Sequence, residues 1–469
     1  MWGKFKKTFI GDRKFYAMVL AIAVPIMIQN GITNFVNLLD NIMVGQVGTE
    51  QMSGVAIVNQ LVMVYNLCIF GGLSGAGIFT AQFYGQGDRE GIRNTFRFKL
   101  WLAAILTILV VLLFSFQGDI LIRMYLNGSS DGGDMALALE SGRKYMMVLM
   151  LGFPAFMMVQ SYAGTLRECG ETVLPMKAGI AAVFVNLIFN YILIYGKLGF
   201  PALGVVGAAI ATVLSRYVEA VIVVGWVHLH TDRCPYVEGL YSSFRIPVHL
   251  IRSIIIKGTP LLVNETLWSS GMAMLVQCYS VRGLNVVAAM NISNTINNLF
   301  SVVCIALGNA VSIVVGQLLG AGRMEEARDT DNKLIAFSVL CCMGVAVVMA
   351  LIAPVFPDLY NTTREAKRLA VDLIMLQALF LPQNAFLNAS YFTLRSGGKT
   401  LITFFFDSVF VWCVSVPIAF LLSRYTELNV LLIFIMVNIG DWIKCVIGFV
   451  LVKKGVWIHN IISDEGKND

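Results

Sequence analysis

The sequence is poor in charged residues and has no cluster of cysteine or histidine. Charged residues make up 13% of the 469 positions, whereas a soluble domain carries about 25%. This deficit excludes an ordinary soluble domain. The nine cysteines are scattered, and although Cys341 and Cys342 are adjacent, no CxxC motif occurs. The spacing argues against both a disulfide framework and a structural zinc site.

Motifs of soluble catalysis and of nucleic-acid binding are also missing. The sequence has no Walker A motif, no HExxH and no GxSxG, so we predict that it is not an enzyme and does not use ATP directly. No loop combines a basic stripe with interleaved aromatic residues, so nucleic acid is not an expected partner. The basic N-terminus runs into the first apolar segment without a small-residue cleavage site, and we interpret that segment as a membrane span.

Long apolar runs are abundant instead. Hydrophobic residues make up 57% of the chain, and the mean hydropathy is +0.76. About 20 apolar residues cross a bilayer, and backbone groups in hydrocarbon must bond within their own segment, as in a helix. Continuous runs without strand-like alternation argue against a membrane barrel. We predict an all-α polytopic membrane protein with twelve transmembrane helices at residues 15–39, 53–80, 97–117, 144–165, 174–196, 204–229, 250–279, 288–318, 334–356, 369–393, 401–422 and 428–452.

The distribution of positive charge predicts the orientation in the cell membrane. If the N-terminus is cytoplasmic, most of the 34 Lys and Arg residues fall in cytoplasmic segments, and Arg216 and Lys444 lie inside spans. Cytoplasmic loops are enriched in Lys and Arg, so we expect a multi-pass protein with both termini in the cytoplasm. The net charge of +6 then reflects membrane topology.

The sequence repeats itself about halfway along. Residues Gln82, Gly85, Gly87 and Arg93 return 235 positions later as Gln317, Gly320, Gly322 and Arg328, and Leu166, Arg167, Gly170 and Thr172 return 228 positions later as Leu394, Arg395, Gly398 and Thr400. Two copies of six spans enter the membrane the same way round, which predicts lobes related by a pseudo-twofold axis along the membrane normal. We assign the lobes to residues 1–230 and 250–469, the second with a short polar tail, joined by a cytoplasmic connection at 231–249.

Pro25 and Pro260 share the 235-residue offset and lie about one-third into the first and seventh spans. A proline inside a helix removes a hydrogen bond and kinks the helix. Matching kinks in both halves are consistent with hinges, and a static kink is the alternative.

Ionisable residues inside spans are the main candidates for function, because each costs at least ~2.5 kcal/mol at mid-bilayer without a cavity or partner. Glu265 lies near the middle of the seventh span, and Asp40 ends the first. From spacing alone, Asp40 is either a functional carboxylate or a helix end among headgroups. The pairs Arg216 with Glu219 and Asp441 with Lys444 are predicted to neutralise each other, and Asp407 to pair with Lys399.

Asparagines form further polar faces on the predicted helices. Interhelical hydrogen bonding is a sufficient explanation for any one of these faces. They are Asn30, Asn34 and Asn37 on the first span, Asn186 and Asn190 on the fifth, and Asn291, Asn294 and Asn298 on the eighth, and Asn59 shares the 235-residue offset with Asn294.

The segment from Asn186 to Thr212, NLIFNYILIYGKLGFPALGVVGAAIAT, carries an asparagine-rich helix followed by a run of glycine and alanine. With the paired Leu-Arg-x-x-Gly-x-Thr turns, the doubled Gln-x-x-Gly-x-Gly loops and Asp40 in the setting DNIMVGQVG, it resembles the multidrug and toxic compound extrusion (MATE) family of cation-coupled efflux transporters. The resemblance covers nearly the whole chain. It implies two six-helix lobes around a central cavity, in which substrate and coupling ion compete.

The resemblance also implies site residues. Asp40 would bind the coupling cation in the N-lobe, surrounded by groups matching Asn186, Asn190 and Thr212, and Glu265 would serve the C-lobe. The sequence departs from some members, which carry Asp where this chain has Asn190 or Asn384. These departures leave one carboxylate per lobe and leave the choice between H⁺ and Na⁺ open.

We therefore expect an antiporter, coupled to H⁺ or Na⁺, that exports lipophilic cationic drugs or toxins by alternating access of two lobes. Na⁺ could bind Asp40 with amide oxygens of Asn186 and Asn190, because hard cations take oxygen ligands. No cofactor beyond the coupling ion is expected, and the protein is expected to be a monomer in the bilayer. The expected substrate-cavity residues are Asn30, Asn34, Asn37, Asn59, Glu265, Asn294 and Asn384.

Three alternatives to the antiporter are less consistent with the sequence. A flippase for lipid-linked precursors shares the helix layout, but its pyrophosphate substrate favours a cavity lined by Arg or Lys, and here Arg216 and Lys444 each have an acidic neighbour. An intramembrane enzyme would need clustered catalytic groups. A receptor or channel is disfavoured by the duplicated halves.

Overall fold

The structure is a computed structural model that describes residues 8–126, 135–243 and 245–463. Within these ranges the side chains at positions 38, 41, 42 and 49 are not described. The end of the predicted polar tail, residues 464–469, lies outside the described residues.

The backbone of these ranges forms α-helices joined by short turns, and it contains no strand. The α-helices are α1 (Arg13–Gly45), α2 (Thr49–Gln86), α3 (Arg89–Leu126), α4 (Met135–Met150), α5 (Phe153–Glu168), α6 (Val173–Tyr195), α7 (Val205–Leu229), α8 (Val248–Ser280), α9 (Leu284–Gly320), α10 (Met324–Ile352), α11 (Arg364–Ser396), α12 (Thr400–Phe404), α13 (Val416–Tyr425) and α14 (Val430–Lys454).

Each of the twelve predicted spans coincides with one of these helices or with a closely joined set. Within the described ranges, ten segments are long and apolar enough to cross a membrane, and α4 with α5, bent by 49° at their break, makes an eleventh. Helix α8 spans 33 residues but is less apolar, because Asn264, Glu265 and Thr266 follow one another near its middle. The predicted all-α polytopic class is confirmed.

The described chain divides into two compact units. The N-unit comprises Ile28–Thr80 and Asp88–Arg252, and the C-unit comprises Met1–Met27, Ala81–Gly87 and Ser253–Asp469. The lobe boundaries inferred from the repeat remain a prediction, because the units follow spatial contact and the lobes follow sequence offset.

In the N-unit, α6 and α7 form a close hairpin. Helix α6 ends where Gly196 adopts a left-handed conformation (φ 65°), which glycine tolerates. Gly207 in α7 lies so near the backbone of Leu193 that a Cβ there would come within 2.6 Å of the Leu193 carbonyl oxygen. Small residues allow such close backbone approach between membrane helices. The hairpin fixes α6 and α7 side by side, and these two helices carry three of the predicted site residues.

In the C-unit, the two repeated Gln-x-x-Gly-x-Gly loops contact each other. A Cβ on Gly85 would collide with the carbonyl of Gln317, and a Cβ on Gly320 would collide with the carbonyl of Gln82. Gln82 Nε2 donates to the Ser396 carbonyl at 3.1 Å. The glycines permit this reciprocal contact, because a side chain on either one would collide with the backbone of the other loop.

The eleventh span departs from regular helix. After α12, residues Phe405–Val409 and Val411–Ser415 form two π turns before α13 begins. Its counterpart at the 228-residue offset, α6, is α-helical throughout. Single π turns are frequent at functional sites, and the first of these turns contains Asp407.

Candidate functional site

Asp40 lies in the later part of α1, where two amides from α6 face its carboxylate. Asn190 Nδ2 donates to Asp40 Oδ1 at 2.6 Å. The amide of Asn186 lies 3.0 and 3.2 Å from the two carboxylate oxygens, in the orientation that turns its nitrogen toward them. Asn186 and Asn190 are one helical turn apart and both are buried. The amide face predicted on the fifth span is therefore directed at Asp40.

Thr212 on α7 completes this group. Its hydroxyl lies 3.4 Å from the amide of Asn186 and donates to the Ala208 carbonyl at 3.0 Å. We call Asp40, Asn186, Asn190 and Thr212 the N-lobe cluster. The structure brings together all four residues predicted for the N-lobe coupling site.

One oxygen of the N-lobe cluster lacks a donor. Asn190 Oδ1 is buried and has no hydrogen-bond partner among the described residues. Buried acceptors are nearly always satisfied, and hard monovalent or divalent cations prefer oxygen ligands. The cluster can therefore hold a proton on Asp40 or a cation among the carboxylate and amide oxygens. The described residues contain no group of three His, Cys, Asp or Glu side chains that could hold a metal ion, so such a site would depend on amide oxygens.

The cation nearest in sequence to this cluster is paired elsewhere. Arg216 Nη1 lies 3.2 Å from Glu219 Oε2 on the same helix, as predicted, and the two side chains are 37% and 6% exposed. The Arg216 guanidinium also lies over the Phe156 ring. No hydrogen bond among the described residues links Arg216 to Asp40, and the hydrogen bonds that Asp40 accepts there come from amides.

The remaining polar residues predicted for the N-lobe lie apart from this cluster. Asn30 is half-buried, and Asn34 and Asn37 are exposed. No hydrogen bond among the described residues links these three to Asp40. Asn59 is exposed and accepts from Tyr145 Oη at 3.2 Å.

The C-unit contains a second buried polar group, centred on Asn264 in α8. Asn264 Nδ2 donates to Asp407 Oδ2 at 3.3 Å and to Tyr391 Oη at 3.4 Å. Asn264 Oδ1 accepts from Ser408 Oγ at 2.7 Å and from the Ser408 backbone nitrogen at 3.3 Å. The Asn264 side chain thus inserts into the backbone ladder of the eleventh span, an insertion that distorts helices. This contact accounts for the π turn at Asp407.

Lys444 on α14 neutralises Asp407. Lys444 Nζ lies 2.7 Å from Asp407 Oδ1, and the two side chains are 9% and 19% exposed. The predicted pairings of Asp407 with Lys399 and of Lys444 with Asp441 are wrong, because the packing of the eleventh span on α14 brings together residues far apart in sequence. Asp441 instead accepts from Ser415 Oγ at 3.4 Å. We call Asn264, Tyr391, Asp407, Ser408 and Lys444 the C-lobe cluster.

Glu265 adjoins the C-lobe cluster without joining its hydrogen bonds. It follows Asn264 on α8 and is half-buried. The charged residues that act on it are Arg395 and Asp407. Arg395 is buried, and its Nε and Nη1 have no hydrogen-bond partner among the described residues. Glu265 is therefore a half-buried carboxylate that no described hydrogen bond ties to the C-lobe cluster.

The other residues predicted for the C-lobe are dispersed. Asn294 is half-buried and Asn384 is exposed, and no hydrogen bond among the described residues connects either to Glu265. Pro25 and Pro260 each lie inside a continuous helix, α1 and α8. A hinge at either proline remains a prediction.

The sequence analysis did not predict Asn264 as a site residue or Asp407 as the partner of Lys444, although the internal repeat gives a signal for both Asn264 and Lys444. Asn264 is the counterpart of Gln29 at the 235-residue offset, and Lys444 is the counterpart of Arg216 at the 228-residue offset. Searching both halves for polar residues at shared offsets would have singled out these positions.

Comparison with known protein families gives a match in each half of the chain. The sequence profile of the MatE family matches residues 25–192 and 260–421. The two matched segments begin at Pro25 and Pro260, which the repeat also pairs. The matches cover more than half of the chain.

Relatives and solved structures extend along nearly the full length. A probable multidrug resistance protein, NorM of Thermotoga maritima, is 25% identical over 439 residues, which are 91% of this chain and 88% of NorM. Multidrug resistance protein MdtK of Yersinia pestis is 27% identical over 431 residues, 92% of each chain. An outward-facing multidrug resistance MATE family transporter of the MOP superfamily matches with a TM-score of 0.83 at 23% identity, covering 96% of this chain and 97% of that one. The predicted fold of twelve transmembrane helices in two six-helix lobes is confirmed.

Proposed function

The chain belongs to the MatE family, and from this premise we propose that it is an antiporter, coupled to H⁺ or Na⁺, that exports lipophilic cationic drugs or toxins by alternating access. It is a multi-pass membrane protein, and its relatives NorM and MdtK are named for multidrug resistance. Membership of a transporter family makes a catalytic role unnecessary, and we propose no enzymatic activity.

The observation that carries the proposal is the environment of Asp40. Its carboxylate accepts hydrogen bonds from amides rather than from a cation, and Asn190 Oδ1 beside it has no donor. An ionised group inside a membrane is energetically costly unless it faces a cavity or has a partner, so such groups usually mark functional sites. Asp40 is thus suited to take up the coupling ion: H⁺ on its own oxygens, or Na⁺ shared with Asn186 and Asn190, with Thr212 positioning the amide of Asn186.

Glu265 is proposed as the counter-charge for the substrate. It is half-buried and takes no part in the hydrogen bonds of the C-lobe cluster, so its carboxylate can attract a lipophilic cation. The further substrate-binding residues that we propose are Asn30, Asn34, Asn37, Asn59, Asn294 and Asn384. Pro25 and Pro260 are the proposed hinges, and both termini are proposed to be cytoplasmic in a monomeric protein.

The proposal is tested with the purified protein in liposomes loaded with ethidium, driven separately by a pH gradient and by a Na⁺ gradient. Uphill movement under one gradient, lost in Asp40→Asn, is the expected result. The matched control is Asp119→Asn, which removes an exposed carboxylate that pairs with Arg143 at 3.5 Å and should leave transport unchanged. Undiminished uphill movement in Asp40→Asn would exclude the N-lobe cluster as the coupling site.

A flippase for lipid-linked precursors is the second candidate, and the C-lobe cluster speaks against it. A pyrophosphate group needs unpaired Arg or Lys side chains for charge-assisted hydrogen bonds. Lys444 and Arg216 each have a carboxylate partner, at 2.7 and 3.2 Å. Neither could bind a phosphate without leaving a buried carboxylate unpaired. Arg395 also has nitrogens without a described hydrogen-bond partner, but it interacts with the charge of Glu265.

A further inference from the structure

We propose that Asp331 is a proton-binding site in the C-unit: its carboxyl group carries a proton in the folded protein and donates a hydrogen bond to the hydroxyl of Thr393. The inference goes beyond the proposed function, because it involves neither Asp40 nor the C-lobe cluster. It begins with a threonine that the internal repeat places in both halves.

The repeated threonine has a clear hydrogen-bond direction in the first half. Thr165 in α5 and Thr393 in α11 are 228 positions apart, and so are Ser161 and Ala389, one helical turn before them. In the N-unit, Thr165 Oγ1 donates to the Ser161 carbonyl at 2.9 Å and accepts from Lys99 Nζ of α3 at 3.1 Å. An ammonium group can only donate, so the one hydrogen of the Thr165 hydroxyl is directed back along α5.

The same two contacts surround Thr393 in the C-unit. Its Oγ1 lies 3.0 Å from the Ala389 carbonyl oxygen and 2.6 Å from Asp331 Oδ1 of α10. A hydroxyl group has a single hydrogen to donate. If Thr393 donates back to Ala389, as Thr165 donates to Ser161, the hydrogen between Thr393 and Asp331 belongs to the carboxyl group.

The residues that reach the threonine from the neighbouring helix differ in charge between the halves. The 235-residue offset sets Asp331 against Phe96 and sets Lys99 against Leu334. Positions three apart lie on the same face of a helix, so a side chain from either position can reach the threonine. Lys99 has a carboxylate partner, Glu168, whereas Asp331 has the threonine alone among the described residues.

The surroundings of Asp331 disfavour a carboxylate. Asp331 is fully buried, and its Oδ2 has no hydrogen-bond partner among the described residues. On the same face of α10, Ala327, Leu334 and Ile335 belong to the hydrophobic core. An isolated buried carboxylate is so costly to desolvate that it takes up a proton instead. In the neutral acid, Oδ2 is an unsatisfied carbonyl oxygen, which costs less than an unpaired charge.

No cation among the described residues forms an ion pair with Asp331. Helices α9 and α11 pack against α10, and α9 contains no charged residue. On α11, the Arg395 guanidinium lies over the Phe392 ring and interacts with Glu265. The other titratable groups on these helices that flank this contact bond elsewhere: Tyr391 with Asn264, Lys333 with Asp329, and Arg328 with the Lys453 carbonyl.

An ionised Asp331 that accepts the hydrogen of Thr393 is the competing explanation. The two explanations differ by one proton at neutral pH, because the first gives Asp331 as a carboxylic acid and the second gives it as a carboxylate. An amide has nearly the shape of the acid and keeps a donor for Thr393. Asp331→Asn therefore mimics the protonated state and not the ionised one.

The first measurement is the infrared spectrum of purified full-length protein at neutral pH, in which a protonated carboxyl group has a carbonyl band separate from those of carboxylates. Asp331→Asn should lose the intensity of one carboxylic acid. The matched control is Asp329→Asn, which removes an exposed carboxylate of α10 that pairs with Lys333 and should leave the band unchanged. An unchanged band in Asp331→Asn overturns the proposal. Failure of Asp331→Asn to fold also overturns it, because the amide supplies the same donor as the acid.

The second measurement follows thermal unfolding of the parent and Asp331→Asn proteins from about pH 5 to about pH 8, above the ordinary aspartate range. The unfolded chain has lost the Asp331 proton at these pH values, whereas the folded protein retains it, so the parent should lose stability relative to the variant as pH rises. Its unfolding equilibrium constant should rise, relative to the variant, by up to about tenfold per pH unit until the folded protein also loses the proton. A difference that does not change with pH would contradict the inference.

Repeating the unfolding series with and without Na⁺ at constant ionic strength tests whether Asp331 holds a cation instead. The parent and Asp331→Asn should respond equally to Na⁺. A saturable rise of the midpoint that only the parent shows would assign the site to Na⁺ and overturn the proposal. None of these measurements requires transport, so an absence of ethidium flux would refute the proposed function without affecting the result for Asp331.

Discussion

The N-lobe cluster and the C-lobe cluster hold a carboxylate inside the membrane in opposite ways. Asp40 accepts hydrogen bonds from the amides of Asn190 and Asn186, while the nearby Arg216 is paired with Glu219. Asp407 is instead paired directly with Lys444. Arg216 in the sixth span and Lys444 in the twelfth occupy the same position of the repeat, but their carboxylate partners differ. One carboxylate is thus held by neutral amides, and the other is neutralised by a lysine.

The helical backbone around the two clusters also differs between the halves. Helix α6, which carries the two amides of the N-lobe cluster, is regular, so its residues at i and i+4 face one carboxylate. The eleventh span has a π turn where the Ser408 backbone nitrogen donates to Asn264 Oδ1 on another helix. A buried network in the second half is therefore built at the cost of helical regularity.

The fourth and tenth spans show a second asymmetry at the shared offset. Pro154 and Pro382 are 228 positions apart. In the first half, α4 ends at Met150 and α5 begins at Phe153 after a 49° bend, whereas α11 continues through Pro382. A proline at the same position of both repeats therefore does not by itself break the helix. In the first half the helix also has a turn at Gly152, just before Pro154.

The largest expected effect concerns transport. Asp40→Asn should reduce ion-driven ethidium export to the level of liposomes without protein, because the amide binds neither H⁺ nor a cation with comparable strength. The Lys444→Met/Asp407→Asn variant should retain coupled export. Fluorescence flux assays on both proteins check this contrast, and equal losses in the two would remove the distinction between the lobes.

The next effect concerns stability. Lys444→Ala should lower the free energy of unfolding by about 3–5 kcal/mol, because it leaves Asp407 buried without its partner. Arg216→Ala should cost less, since the Arg216 side chain is 37% exposed and its pair is partly screened. Thermal or denaturant unfolding in a Na⁺-free buffer compares the two. A larger loss for Arg216→Ala would reverse the comparison.

A smaller effect is expected where Asn264 meets the π turn. Ser408→Ala removes the hydroxyl that donates to Asn264 and should lower stability by about 0.5–1.5 kcal/mol. Ser423→Ala is the control, because among the described residues its hydroxyl donates to the carbonyl of Phe420 in its own helix and reaches no other helix. If both changes had the same effect on the unfolding midpoint, the Ser408 contact would have no special importance for the C-lobe cluster.

The smallest effect is expected at Thr212. Its hydroxyl is 3.4 Å from Asn186, a long contact, so Thr212→Val should weaken coupling-ion binding by roughly twofold to tenfold, the range of one modest hydrogen bond. Titration of ion binding to the purified variant measures this change. A loss as complete as that of Asp40→Asn would make Thr212 a direct ligand of the ion.

Much of this arrangement could be predicted from the sequence, and the limits have physical causes. Apolar length located all twelve spans, and residues one helical turn apart placed Asn186 and Asn190 on one face. The partner of Lys444 could not be found that way, because helical spacing considers neighbours on one helix and Asp407 is 37 positions away. The π turn has no sequence signature of its own, since it arises from a contact with Asn264 on another helix.

The most direct test of coupling through Asp40 is the ion-to-substrate ratio of the parent protein in liposomes. The substrate gradient at which net flux stops is measured against a series of imposed gradients of the coupling ion. A single ion site in the N-lobe predicts one coupling ion exchanged for each substrate. A ratio of two would contradict this account, because it would require a second exchangeable carboxylate, such as Glu265, besides Asp40.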